Sequence, residues 1–297
     1  MPGSRLSAFL LLALANLLWA GNWVTGRALR DTFDPVTLNF LRWAVAVAVL
    51  APFALPRMRG KWPVVRRHAG ILFVLALFGV TIFQSLVYAG LRTTTAVNAV
   101  LLNASIPMFM LLCSWLIERE RATRNQVVGM LISLAGILII LARGELATLL
   151  ALQLHVGDFW ILLAMPVWGI YSVLLKRRPP ELGGIELLFV ISVIGAALLI
   201  PVVAVLALQT PLQWPGAPAA AGVVYMGVCA SVLAFIFWNR GVAVVGANAA
   251  GFTVHLLPAF GTVLAILFLR ESFAGFHAAG IATILAGVLL STRRANG

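Results

Sequence analysis

Apolar residues run along this chain in long, nearly charge-free blocks, not at the three- and four-residue spacing of an amphipathic soluble helix. Short polar turns separate the blocks. They predict ten helices: Leu6–Gly26, Pro35–Leu55, Ala69–Leu91, Thr94–Ile117, Asn125–Ala142, Val156–Leu175, Glu186–Leu208, Ala217–Trp238, Ala243–Leu269 and Ser272–Ser291. About 20 apolar residues rising 1.5 Å each cross a hydrocarbon layer about 30 Å thick. Each block is therefore long enough to span a membrane, and the fold class is an all-α polytopic membrane protein. Leu187 to Asn239 carries no charge and is too long for one span; Pro211, Pro215, Gly216 and Pro218 divide it into two. The first block, led by Arg5 and containing Ala13-Leu14-Ala15, has the look of a cleavable leader. Its counterpart later in the chain marks it as a structural helix instead. Asn103-Ala104-Ser105 matches a glycosylation sequon but sits in mid-helix, out of reach of any modifying enzyme.

The composition agrees with this pattern. Of 297 residues, 62% are hydrophobic and 10% charged, with a mean hydropathy of +1.04. Soluble domains hold about 45–50% apolar and 25% charged residues, so a soluble enzyme with a polar shell is excluded. Lys and Arg number 21 against 9 Asp and Glu, a net charge of +12, which raises the question of nucleic acid. These cations lie in the turns, where the positive-inside rule expects them. The N-terminus, the turns after even-numbered helices and the C-terminal tail hold 15 of them, and the opposite side holds 5. The bias predicts a multi-pass protein of the bacterial inner membrane with both termini cytoplasmic. The partners expected are the lipid bilayer and a small-molecule substrate, with no nucleic acid. Cys113 and Cys229 lie in apolar runs, and no spacing of His and Cys suggests a metal. No cofactor and no metal are expected.

The two halves match in register. At a shift of 149, Trp19 falls on Trp168, Arg27 on Lys176, Phe40 on Phe189 and Pro52 on Pro201. At a shift of 151, Gly90 falls on Gly241, Pro107 on Pro258, Glu120 on Glu271, Gly129 on Gly280 and Gly136 on Gly287. The shift changes near the third helix, where the second copy is longer. The chain thus divides into a first five-helix repeat, 1–145, and a second, 146–297. Five is odd, so the second copy enters the membrane from the opposite side. Such inverted repeats exchange conformations around a central site, the architecture of alternating access. A monomer suffices for that mechanism.

The repeated pattern is Pro107, Glu120-Arg121, Gly129 and Gly136 in one half and Pro258, Arg270-Glu271, Gly280 and Gly287 in the other. It resembles the drug/metabolite transporter superfamily, in particular its ten-helix members built from two EamA-type repeats. The resemblance covers nearly the whole chain. It implies ten helices around a central cavity and export of small metabolites, often amino acids. The Trp and Asn content of the first and sixth helices is most similar to the bacterial aromatic amino-acid exporters.

Several residues are candidates for the chemistry. The paired glycines of the fifth and tenth helices read as close helix contacts. Pro107 and Pro258 each remove a backbone hydrogen bond and free a carbonyl one turn earlier. Each is either a simple kink or an interrupted helix beside a substrate site. Polar side chains at mid-membrane depth are the sharper signal, because burying them unpaired is costly. They are Asn16 and Asn22 on the first helix, Gln84 on the third, Asn98 and Asn103 on the fourth and His255 on the ninth. They are either interhelical hydrogen bonds or the polar wall of a cavity. Trp19, Trp23, Trp168 and Tyr171 are the aromatic counterpart, able to stack on an aromatic or large apolar ligand or to pack on lipid. Trp43, Trp62 and Trp214 are expected in the interfacial belt. Arg42, about 10 Å into the second helix, snorkels, pairs structurally, or faces a wet cavity.

The predicted substrate-binding set is Trp19, Asn22, Gln84, Asn98, Asn103, Trp168, Tyr171 and His255, with no catalytic residue. One rival reading is an intramembrane enzyme acting on lipid-linked substrates, for which only Asp158, Glu186 and His155 are available. The other is a passive channel.

Overall fold

The computed structural model describes residues 5–142, 147, 153–209, 216–269 and 274–292. Among these lie ten helices long and apolar enough to cross a membrane: α1 Arg5–Ala28, α2 Pro35–Met58, α3 Ala69–Thr93, α4 Asn98–Glu118, α5 Arg124–Ala142, α6 Val156–Arg177, α7 Gly184–Gln209, α8 Ala217–Val245, α9 Ala247–Leu264 and α10 Gly275–Thr292. Leu10, Leu131, Ile200 and Leu289 are among the large apolar side chains left exposed on the outside. Asn, Gln, Arg and His side chains are buried inside the bundle. That inversion of a soluble protein's surface suits a bundle solvated by lipid. The chain is a multi-pass membrane protein. The repeat boundary at 145/146, the turn at Pro211–Pro215, Trp214 and the Arg270-Glu271 pair lie outside the described residues.

One boundary differs from expectation. α8 does not end at Trp238 but continues to Val245, and the chain turns at Gly246, whose φ of 85° only glycine adopts without strain. Asn239 and Arg240, which look like a turn in sequence, lie inside α8. Asn239 Oδ1 accepts a hydrogen bond from the Tyr171 hydroxyl at 2.9 Å, and Arg240 is exposed near the helix end.

The repeats interleave. α1 packs against α8 and α9 of the other copy, while its mate α6 packs against α3 and α4; α2 meets its mate α7, and α5 meets its mate α10. The α5–α10 contact is backbone to backbone. A Cβ on Gly136 would stand 2.7 Å from the Gly280 carbonyl oxygen, and one on Gly129 2.5 Å from that of Gly287. Small residues at both positions let the helices touch where lipid supplies no hydrophobic drive to association.

Two irregularities recur in both copies. α3 widens into a π-helical segment at Leu77–Ile82 and α8 at Met226–Leu233. The second is 8 residues against 6, the same two-residue difference by which the repeat shift grows from 149 to 151. α4 breaks at Ala104-Ser105, just before Pro107, and α9 passes through a 3₁₀ turn at Thr253–His255, just before Pro258. Beyond the bundle interior, Glu120 joins three helix ends. Its carboxylate takes Lys176 at the end of α6, the Ser114 hydroxyl of α4 at 3.0 Å and the Asn248 amide of α9 at 3.4 Å. The Lys176 ammonium holds the Glu120 carboxyl below its ordinary range.

Candidate functional site

The π segments and breaks expose backbone carbonyls inside the bundle, and side chains of other helices claim them. In α8 the Ala230 carbonyl accepts from the Trp19 indole at 3.0 Å and from Arg42 Nη2 at 3.4 Å. In α3 the Val80 carbonyl accepts from Asn39 at 2.9 Å. At the break in α4 the Ala104 carbonyl meets His255 Nε2 at 2.9 Å. The two proline-marked interruptions are thus joined to each other, one from each copy. His255 Nδ1 also meets the Ser133 hydroxyl of α5.

Between these irregularities lies a narrow cleft with room inside for about one water molecule. Trp19, Asn22 and Trp23 of α1, Phe83 and Gln84 of α3, Asn103 and Ile106 of α4, Trp168 of α6, Phe235 of α8, and Val254 and Leu257 of α9 line it. Trp19 and Trp168, mates in the repeat, meet edge to face with centroids 5.2 Å apart and planes at 88°. Phe83 lies 4.8 Å from Trp168, and Phe235 packs edge-on against both tryptophans. Such pairs favour edge-to-face or offset contact because the ring faces are negative and the edges positive. The aromatic walls are close together, so this is a narrow form of the site. The amides of Asn22, Gln84 and Asn103 line the cleft together with these rings. Asn103 Nδ2 is buried with no hydrogen-bond partner, a state that costs about 1–3 kcal/mol; Gln84 Nε2 is buried as well, with the Tyr88 hydroxyl beside Gln84.

Five of the eight predicted residues, Trp19, Asn22, Gln84, Asn103 and Trp168, line the cleft together. Three lie elsewhere. Asn98 donates to Asp158 Oδ2 at 2.8 Å and to the Gln153 carbonyl at 2.8 Å, tying α4 to the start of α6. Tyr171 is fully buried behind Trp168 and donates to Asn239. His255 sits between two lining residues but is engaged by Ala104 and Ser133. Asn16, also noted in the sequence, bridges the Leu12 carbonyl and the Thr253 hydroxyl.

Other expectations are corrected. Trp43 is not interfacial: it is completely buried, edge-on to Phe235 at 5.1 Å, because the face of α2 that carries it turns inward. Of the alternatives for Arg42, the structure has structural pairing and not snorkelling. The arginine is 1% exposed, with Nε donating to Ser231 Oγ at 2.7 Å and Nη1 to Tyr88 Oη at 3.0 Å. The acids considered for catalysis are otherwise employed. Asp158 accepts from Thr94, Asn98 and the His155 backbone N–H at the start of α6, and Glu186 accepts from Lys61 at 2.9 Å.

A family model, the EamA-like transporter family, matches this chain twice, over residues 6–142 and 155–293. The chain belongs to the EamA-like transporter family. Each match covers five of the ten spans, as an inverted repeat of this family requires. A protein of Archaeoglobus fulgidus named an uncharacterized transporter is 27% identical over 285 residues, covering 96% of this chain and 97% of that one. A probable terminal-alkyne amino-acid exporter of Streptantibioticus cattleyicolor is 28% identical over 290 residues, 96% and 93% of the two chains. A solved structure titled only as a crystal structure of protein superposes with a TM-score of 0.72 at 23% identity. It covers 97% of this chain and 96% of its own, a likeness of fold.

Sequence reasoning missed Phe83, Ile106, Phe235, Val254 and Leu257. In helices that are hydrophobic all round, an apolar cleft residue has no periodic signal to set it apart. Adjacency was the available clue: Phe83 precedes Gln84, and Val254 precedes His255. Tyr88, one turn after Gln84, was legible in the same way as the partner of a polar stripe on α3.

Proposed function

We propose that this EamA-family transporter is an alternating-access exporter of amino acids, with a preference for aromatic or large apolar side chains. The observation that carries this reading is the cleft itself. Repeat mates Trp19 and Trp168 meet edge to face there, and the amides of Asn22, Gln84 and Asn103 line the same cleft. Flat rings there stack on an aromatic side chain, and the amides meet the polar end of an amino acid. The inverted repeat supports exchange of access by rocking the copies about this site. The narrow cleft supports a form in which the helices have closed. The named function of the Streptantibioticus relative supports the amino-acid class. We place the protein in a bacterial inner membrane with both termini cytoplasmic, working as a monomer of two repeats, 1–145 and 146–297.

Uptake of labelled phenylalanine into proteoliposomes tests the reading. A carrier shows saturable uptake stimulated by unlabelled phenylalanine on the far side, and a panel of competing metabolites ranks aromatic amino acids first. Linear, unsaturable flux would mark a channel, and absent flux for every amino acid would sink the assignment.

A further inference from the structure

Arg42 is buried in the bundle interior without a counter-ion. Among the described residues no carboxylate lies within ion-pair distance of it. A buried cation so placed is costly unless its protons are hydrogen-bonded, and here the π segment of α8 does that. Ser231, whose hydroxyl donates to the Met226 carbonyl at 2.9 Å, accepts from Nε at 2.7 Å. The neighbouring Ala230 carbonyl accepts from Nη2, and the Trp43 ring lies 5.2 Å from the guanidinium carbon. These contacts fix the head group in one position.

That position dictates the direction of a hydrogen-bond chain. A guanidinium has donors and no acceptor, so the Tyr88 oxygen must accept from Arg42 Nη1 at 3.0 Å. The single Tyr88 proton is then donated to Asn22 Oδ1, also at 3.0 Å. Asn22 is thereby held with its oxygen committed to Tyr88 and its N–H₂ uncommitted, and Asn22 lines the cleft. Gln84 and Asn103 line the same cleft with their amide nitrogens buried, so the Asn22 N–H₂ is the donor that this chain of bonds directs there. Behind that donor stands a positive charge that no carboxylate among the described residues offsets. In surroundings of low polarity that charge acts well beyond contact distance.

We propose, on the reading of the cleft as the substrate site, that Arg42 is a positioning residue that makes the cleft selective for substrates carrying a carboxylate. It acts through Tyr88, which orients Asn22, and through its charge. A carboxylate supplies an acceptor to the Asn22 amide and offsets the guanidinium. A carboxamide of the same shape brings one acceptor and turns its own N–H groups against donors.

Phenylacetate and phenylacetamide test this, since they share the ring and differ at the head group. Binding of each to the purified full-length protein is followed by quenching of tryptophan fluorescence. Wild type should bind phenylacetate about tenfold more tightly than phenylacetamide, the scale of a charge-assisted contact. Tyr88→Phe, which loses one hydroxyl and no volume, and Arg42→Gln should bring the ratio towards one. Arg42→Lys, which keeps the charge, should restore part of it. Equal binding of the two probes by wild type, or of neither, overturns the proposal. So does a ratio unchanged in Tyr88→Phe, or a loss of equal factor for both probes, the mark of a merely structural arginine. Where Arg42→Gln fails to fold, Tyr88→Phe decides. Vesicle flux judges transport separately. A carboxylate preference without trans-stimulated flux sinks the carrier reading alone, and flux without the preference sinks the role of Arg42 alone.

Discussion

Asn98 and Asn103 lie on one helix, look alike in sequence and have opposite roles in the structure. The Asn98 amide donates to the Asp158 carboxylate and the Gln153 carbonyl, so it is part of the joint between α4 and α6. Asn103 lines the cleft, and its Nδ2 is buried without a protein partner. Removing Asn98 leaves a buried acceptor short of a donor, which costs about 1–3 kcal/mol. Asn98→Ala should therefore lower the melting temperature in detergent and reduce flux only in proportion to folded protein. Asn103→Ala removes no bond made by its amide nitrogen within the protein. It should therefore destabilise the fold less than Asn98→Ala does while weakening apparent substrate affinity. Matching stability losses in the two variants would contradict these roles.

Helices in this bundle do two kinds of work. α5 and α10 are regular and joined along glycines, whereas α3, α4, α8 and α9 are interrupted where they border the cleft. The contrast has a physical origin: backbone freed from its own helix needs partners in a lipid-solvated protein, and the interior supplies them as Trp19, Arg42, Asn39 and His255. The glycine joint can be tested directly. A methyl on Gly136 would meet the Gly280 carbonyl and the Ile284 nitrogen, each at 2.7 Å, so Gly136→Ala should destabilise by about 1–3 kcal/mol, as overpacking does. Gly70, exposed on α3, has nothing within 4 Å of a built Cβ. Gly70→Ala should be neutral or stabilising by up to about 1 kcal/mol. Thermal unfolding of both variants in the same detergent measures the difference; a Gly136→Ala protein as stable as Gly70→Ala would rule out the close joint.

The interleaving of the copies determines how the molecule can move. Because α1 packs on α8 and α9 while α6 packs on α3 and α4, each repeat grips the other around the cleft and neither forms a separate half. On the alternating-access proposal, rocking would alter contacts of the kind seen at His255–Ala104 and at the Glu120 junction, which sit on opposite copies' interruptions and helix ends. An odd number of spans per copy also has a consequence for topology. Reporter fusions at Gly297 and beside Arg143 should report opposite sides of the membrane, with Gly297 cytoplasmic. Finding both on one side would remove the inversion, and alternating access with it.

Length and apolarity of the blocks were enough to read ten spans and their order, because a lipid-solvated helix must satisfy its backbone internally and be apolar over its whole length. The repeat was legible for a related reason: tryptophans, prolines and glycines at equal spacing mark backbone and packing events that both copies share. The inward face of each helix was not legible. Helices apolar on every side carry little periodic signal, so Trp43 looked interfacial and Phe235 looked like any other apolar residue. Polar side chains at equal depth, such as Asn98, Asn103 and His255, could not be sorted into joints and cleft by depth alone. Their roles depend on which carbonyl or carboxylate another helix brings within 3 Å. The same holds for Arg42, whose burial follows from Ser231 and Tyr88, residues 189 and 46 positions away in the chain. Contacts over such distances exist only once the two copies have folded through one another.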